Sequence, residues 1–163
     1  MMLLMPTSFA KEHDITEKNY DQGLEWGRTV IASDVSPMNR KNVNYMYGDE
    51  TYPRVGEFES GAVYLDKKSC NYDIQDGVAY ISCIVYYGGG GSDGHGNAAK
   101  HLGRVVKFST YKKEDKRTII FQSETDLKTG KDYTDSAYES DNGFLKNLFW
   151  IVADQSGISK YLD

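Results

Sequence analysis

The chain has 163 residues, with 24 acidic against 19 basic side chains and a net charge of −5. This length fits one domain able to bury a core without metals or several disulfides. The acidic balance, with no long basic run, argues against nucleic acid and anionic membrane surfaces as partners, and no segment reaches the ~20 apolar residues of a membrane helix.

In chain order, residues 1–10 (MMLLMPTSFA) read as the remnant of a signal peptide. Met1 to Met5 is apolar, and Ser8 and Ala10 are the small residues of a cleavage site that would leave Lys11 as the mature N-terminus. The other reading is an apolar arm packed on the domain. Residues 11–33 are polar and hold His13. Ile15, Tyr20 and Leu24 are only loosely helical in spacing, weakened by Gly23 and Gly27, and Trp26 followed by Arg28 to Ile31 reads as a first strand. Residues 34–60, with Pro37 and Pro53, read as a long irregular connection in which Tyr45 to Tyr47 is the one short extended candidate. Ala62 to Asp66 is a strand that runs on into a hairpin.

The segment KKSCNYDIQDGVAYISCIVYY, residues 67–87, carries the clearest local signal. Asp76-Gly77 is a dipeptide suited to a two-residue type I′ turn, where both central positions need positive φ. A turn there pairs residues whose numbers sum to 153: Ile74 with Ala79, Tyr72 with Ile81, Cys70 with Cys83. Side chains alternate along a strand, so these six share one face. Ser69, Asn71, Asp73, Gln75, Val78, Tyr80, Ser82 and Ile84 take the other. The only two cysteines then lie opposite each other at a non-hydrogen-bonded pair, which makes a disulfide between Cys70 and Cys83 the expectation, and with it an oxidising compartment. Export also follows from residues 1–10, and the expected location is secreted, periplasmic or in the cell envelope of a bacterium.

Residues 88–103 (GGGGSDGHGNAAKHLG) read as a glycine-rich flexible loop between two strands. Arg104 to Tyr111 and Thr118 to Glu124 flank a charged turn at Glu114-Asp115, which sets Val106, Phe108 and Thr110 beside Ile119 and Phe121. Lys112, Lys113, Lys116 and Arg117 read as a solvated hairpin tip. Thr129-Gly130 marks a turn, and residues 133–143 are polar and loop-like. Residues 144–152 (FLKNLFWIV) suit a buried helix or a strand equally, and Ser156 is a candidate N-cap for a last short helix. The expected fold is mainly β within the α+β class: a single antiparallel meander sheet or small open barrel with a short C-terminal helix, spanning residues 11–163. Thirteen tyrosines, most in extended segments, suit half-buried strands or a Tyr-rich binding face.

Few residues point to chemistry. Asp93, His95, Asn97 and His101 fall within the glycine loop and form a candidate interaction loop. A metal could take His95, His101 and Asp93, but their spacing matches no zinc pattern, and ordering a glycine tether costs roughly 1–2 kcal/mol per residue. No phosphate-loop or nucleophile-elbow motif is present. No carboxylate is read on an apolar strand face, where burial would raise its pKa; Asp66 comes nearest and suits a turn. No catalytic residue, cofactor site or metal site is assigned.

Val63-Tyr64-Leu65-Asp66-Lys67-Lys68-Ser69-Cys70, a hairpin, then Val78-Ala79-Tyr80-Ile81-Ser82, resembles the tyrosine–x–aspartate–x–x–serine–apolar opening of the surface-adhesin E-like domains of Gram-negative envelopes. Trp150-Ile151-Val152 followed by Asp154-Gln155-Ser156 is similar to how such domains close. The resemblance spans residues 61–162. It departs at Tyr80 and Cys83, where a Trp is common, and in having no cysteine near the C-terminus to tether the last helix. It implies a small exported β domain that binds host or matrix components without catalysis. The expected partner is a protein or envelope component, and the alternative is a periplasmic inhibitor of an enzyme such as lysozyme that inserts loop 88–103 into a cleft. A metal-dependent hydrolase built on the histidine loop is the third reading.

Overall fold

In the computed structural model, which describes residues 11–16, 45–58, 61–89 and 102–162, six strands form one antiparallel sheet curled into a half-barrel. They are β1 (His13–Asp14), β2 (Arg54–Phe58), β3 (Gly61–Gln75), β4 (Val78–Gly89), β5 (Leu102–Lys113) and β6 (Lys116–Asp126). The order across the sheet is β1-β6-β5-β4-β3-β2, so β2 to β6 are a simple meander and β1 adds at the far edge. One helix, α1 (Thr134–Ser156), and a 3-10 turn at Ile158–Tyr161 follow the strands.

Both long hairpins turn where their sequences demand it. Asp76 and Gly77 have φ of 51° and 79°, and Glu114 and Asp115 have φ of 53° and 63°, the positive values of a type I′ turn. Gln75 pairs with Val78 and Lys113 with Lys116 at the two tips. Alternation then sends Ala79, Ile81, Cys83 and Val85 of β4, with Val106, Phe108 and Thr110 of β5 and Ile119 and Phe121 of β6, into the interior. Ile74 shares their side of the sheet but lies at the hairpin tip, beyond the cover of the helix, and is 51% exposed.

The disulfide does not form: Cys70 and Cys83 are free thiols. The predicted register holds from Gln75/Val78 out to Asn71/Ser82, then shifts, and Asp66 pairs with Ile84. The extra residues of this bulge lift Cys70 out of the position opposite Cys83. Ser69 closes the gap: its hydroxyl donates to the Asp66 carbonyl at 2.6 Å and accepts the Ile84 N–H at 2.7 Å, taking the place of a strand carbonyl. The Cys70 thiol turns to the same Asp66 carbonyl at 3.7 Å.

The apolar stretch open to either reading is helical, and the helix begins earlier than the sequence suggested, at Thr134 in the segment expected to be a loop. Its first turns are polar because they are mostly exposed, contributing little more than Ala137 and Tyr138 to the core. Asp132 accepts the Thr134 N–H at 2.8 Å and starts the helix, and Gly157, at φ 87°, ends it. Ser156 is therefore the last helical residue rather than an N-cap. Ala137, Leu145, Leu148, Phe149, Val152 and Ala153 form the buried stripe. Phe149 meets Phe108 edge-on at 5.7 Å between ring centroids, and Phe108 meets Phe121 at 5.9 Å.

The free side of β6 is covered along most of its length. The Ile15 N–H donates to the Ile119 carbonyl, His13 and Asp14 pair with Phe121 and Ile120, and the Tyr133 N–H donates to Glu124. His13 thus belongs to the sheet, and Ile15 is fully buried. Arg117 is half-buried, not part of a solvated tip: its Nε donates to the Leu162 carbonyl at 2.7 Å and ties down the chain after the helix. The irregular 34–60 segment holds β2, together with a 3-10 turn at Met46–Gly48. Met46 and Tyr52 from this segment pack on Ala62, Tyr64 and Tyr86, covering one end of the sheet face turned away from α1. The signal-peptide remnant expected at 1–10 and the strand expected at 28–31 lie outside the described residues.

Replacing Ser69 by Ala removes the acceptor of the Ile84 N–H and should lower stability by about 1 kcal/mol in urea unfolding. At Gly56 a Cβ would stand 2.7 Å from the Phe144 ring, so Gly56→Ala should cost about 1–3 kcal/mol by the same measurement; an unchanged midpoint would refute this packing of β2 against the helix.

Candidate functional site

Two polar constellations stand out, one open and one closed. The open one lies on the sheet face away from α1, where cross-strand registers line polar side chains into two rungs. Asp73, Tyr80, Ser109 and Ile120 are successive partners across β3, β4, β5 and β6, and Asn71, Ser82, Lys107 and Ser123 are the next rung. Gln122 is the extra residue of a bulge in β6 between these rungs. Asn71, Asp73, Tyr80, Ser82, Lys107 and Gln122 line a groove of about 280 Å³ over Ile81 and Phe108. Tyr80 is 40% exposed there. Two internal bonds hold the walls: Gln75 Nε2 donates to Asp73 at 2.6 Å, and Gln122 Nε2 donates to the Ser109 hydroxyl at 3.1 Å.

The closed constellation sits on the core face. Glu124 is fully buried, accepting from the Tyr87 hydroxyl at 2.7 Å and from Arg104 at 3.1 Å. The Arg104 guanidinium lies between two aromatic rings, 4.4 Å from the centroid of Tyr87 and 4.0 Å from that of Tyr133. This corrects the expectation that no carboxylate falls on an apolar strand face. The β6 bulge is the reason: Ile119 and Phe121 point inward as odd-numbered residues, and one extra residue turns even-numbered Glu124 inward after them. Strict alternation from Phe121 would have sent Glu124 to solvent, so the sequence carried no local sign of it beyond an arginine and tyrosine of unassigned role.

Neither thiol is poised as a nucleophile. Burial pushes the Cys70 thiol from an ordinary 9.0 up to about 12, with the Asp66 carboxylate adding to the effect. Cys83 is also pushed well up, first by burial, then by Cys70 and Glu124. Asp66 acts as the turn residue expected of it, accepting the Lys68 N–H at 3.0 Å inside the bulge. His13 is stacked on Tyr138, 3.9 Å between centroids, and bonded to Asp135 at 2.9 Å, an arrangement that fastens β1 to the start of α1. Tyr86 has its hydroxyl pKa raised by burial, by Asp66 and by Tyr52 in the small cluster under residues 45–53. Asp126 is held below the ordinary carboxylate range by the N–H groups of Thr129 and Lys128, which it caps around the Thr129-Gly130 turn.

Asp93, His95, Asn97 and His101 lie outside the described residues, which end at Gly89 and resume at Leu102. Among the described residues, no three His, Cys, Asp or Glu side chains are grouped to hold a metal ion, and no helix is long and apolar enough to cross a membrane. Comparison of the chain with family models, curated proteins and solved structures finds no match in any of the three.

Removing the cation from the closed pair leaves a buried carboxylate without its guanidinium. Arg104→Met should therefore cost about 3 kcal/mol, and Arg104→Met with Glu124→Leu should recover most of the loss in chemical unfolding. Alkylation of Cys70 in the folded protein should run on the order of a thousandfold slower than that of a free thiol, reaching the ordinary rate after denaturation. Because both thiols hold their protons more tightly when folded, their stabilising effect is complete below 9.0 and is lost as pH rises above it, for Cys70 toward about 12. Alkaline unfolding should show a flatter decline in a Cys70→Ala, Cys83→Ala variant.

Proposed function

We propose that this chain is a non-enzymatic binding domain of the bacterial envelope or of the secreted fraction, recognising its partner through the sheet face that α1 leaves open. The observation that carries this reading is the groove over β3 to β6, where hydrogen-bonding side chains and the ring of Tyr80 face outward on a rigid ladder. Rigid strands hold such side chains at fixed spacing, which lowers the entropy cost of binding. The groups that would suit catalysis are committed to structure instead: Glu124 is enclosed by Tyr87 and Arg104, and the thiols are held protonated by burial. The resemblance of residues 61–162 to surface-adhesin E-like domains points the same way, toward a host or matrix component as partner. Location in the envelope rests on residues 1–10 and on that resemblance, since the free thiols Cys70 and Cys83 withdraw the support expected from a disulfide.

The test is retention of the labelled protein on surfaces coated with host extracellular matrix. Tyr80→Ala with Lys107→Ala should reduce retention at least tenfold, the scale of an exposed aromatic anchor, while deletion of residues 90–97 should leave it within twofold. The reverse pattern, with lysozyme inhibition that disappears on deletion of the loop, would replace this reading by the inhibitor one.

A further inference from the structure

We propose that the groove on the open sheet face takes a neutral oligosaccharide lying across the strands, with a sugar ring stacked on Tyr80. The inference rests on the binding-domain reading and names the chemistry of its ligand.

Charge is the first argument. The lining of the groove holds one acid, Asp73, and one base, Lys107, on adjacent rungs of the ladder, and the exposed Glu12 stands at its rim, 3.5 Å from the Gln122 amide. The fields of the lining pair largely cancel; the rim carboxylate disfavours a polyanion and is too little by itself to hold a polycation. The remaining polar groups are neutral: the Asn71 amide and the hydroxyls of Ser82 and Tyr80 each offer both a donor and an acceptor, and Gln122, whose Nε2 is engaged by Ser109 and Glu12, offers its amide oxygen. Sugar hydroxyls have the same dual character. Each must find a partner for its proton and its lone pairs when water is displaced, or the complex is left with unsatisfied polar groups.

Shape is the second. A pyranose ring presents C–H bonds on one face and hydroxyls around its rim. An exposed aromatic ring bordered by amides and hydroxyls matches both parts. Polar side chains come from four neighbouring strands, at a strand spacing of ~4.8 Å, which is close to the length of one sugar ring along an extended glycan. A chain crossing the strands therefore meets a new polar side chain at nearly every residue. A peptide is a poorer fit. It gains most of its affinity by pairing its backbone with a strand edge, and the face offers no free backbone groups.

Binding to an open, shallow site should be weak, with Kd on the order of 1 mM or below. The experiment is an NMR titration of the full 15N-labelled chain with tetrasaccharides of glucose and of N-acetylglucosamine, and with a sulfated heparin tetrasaccharide. The expected result is shifts of the amides of residues 71–73, 80–82, 107 and 122 with a neutral glycan, and an affinity unchanged between about 0.05 and about 0.5 M salt. Tyr80→Ala should weaken that affinity at least tenfold and Tyr80→Phe less than threefold. Tyr80 is substantially exposed, so both variants should fold, as an unchanged amide spectrum away from the groove would confirm. Shifts with the sulfated glycan alone, or with no glycan, would overturn the inference. If matrix retention still depends on Tyr80 in that event, the binding-domain reading stands without the glycan; if retention does not depend on Tyr80 either, both fall.

Discussion

The phase of the pleat decides which side chains meet the helix, and in β3 and β6 that phase is set by an interruption within the strand. Along an unbroken strand, alternate residues point to opposite faces, so one added residue reverses everything beyond it. In β3 the interruption lies between Asp66 and Asn71, and in β6 at Gln122. Val63 and Leu65 are buried as odd-numbered residues before the first, whereas Tyr72 packs on the same core as an even-numbered one after it. Without these shifts, one end of each strand would present its apolar residues to water.

A sheet corrected in this way has two faces of different character. The inner face is sealed by α1, with Leu145, Leu148, Phe149 and Val152 laid against Ile81, Val85, Phe108 and Phe121 in one core cluster. Where the apolar supply runs out, at the Tyr87 end, the interior is completed by a charged pair with aromatic walls. Such a pair contributes little net stability because desolvation offsets most of its Coulomb attraction, but it penalises any register that would strand one charge alone. Glu124 and Arg104 are thus better understood as fixing the alignment of β5 against β6 than as strengthening it.

How much of this could be read in advance differs by element. Both hairpins were legible because their turns carry local chemistry: Asp76-Gly77 accepts positive φ, and the charged Glu114-Asp115 tip fits a two-residue loop. From those turns the inner-face residues of β4 and β5 followed by counting. The cysteine pairing failed because counting assumes an unbroken ladder, and the bulge at Ser69 is built from a side-chain hydroxyl that propensity does not register. Helix α1 was hidden in its first half because residues 135–140 are mostly exposed and polar, and polar exposure looks alike in a helix and a loop. β2 was hidden by its brevity and by Gly56, present because the Phe144 ring occupies the space of a Cβ. The groove was half legible: Asn71, Asp73, Tyr80 and Ser82 were assigned to one face, but their meeting with Lys107 and Gln122 needed the order of the strands.

Gln122 ties the two halves of the molecule together. As the extra residue of β6 it turns Glu124 toward Arg104 on the inside, and on the outside its amide reaches the Ser109 hydroxyl and the rim of the groove. A ladder that took Gln122 into its regular alternation would turn Glu124 to water and leave Arg104 without its carboxylate. The interior pair therefore constrains the outer surface, since the β5–β6 register that brings Glu124 to Arg104 also sets Gln122 at the Lys107–Phe108 step, on the wall of the groove. Polar burial, which adds little to stability by itself, here serves to hold an exposed set of side chains at the spacing a ligand would meet.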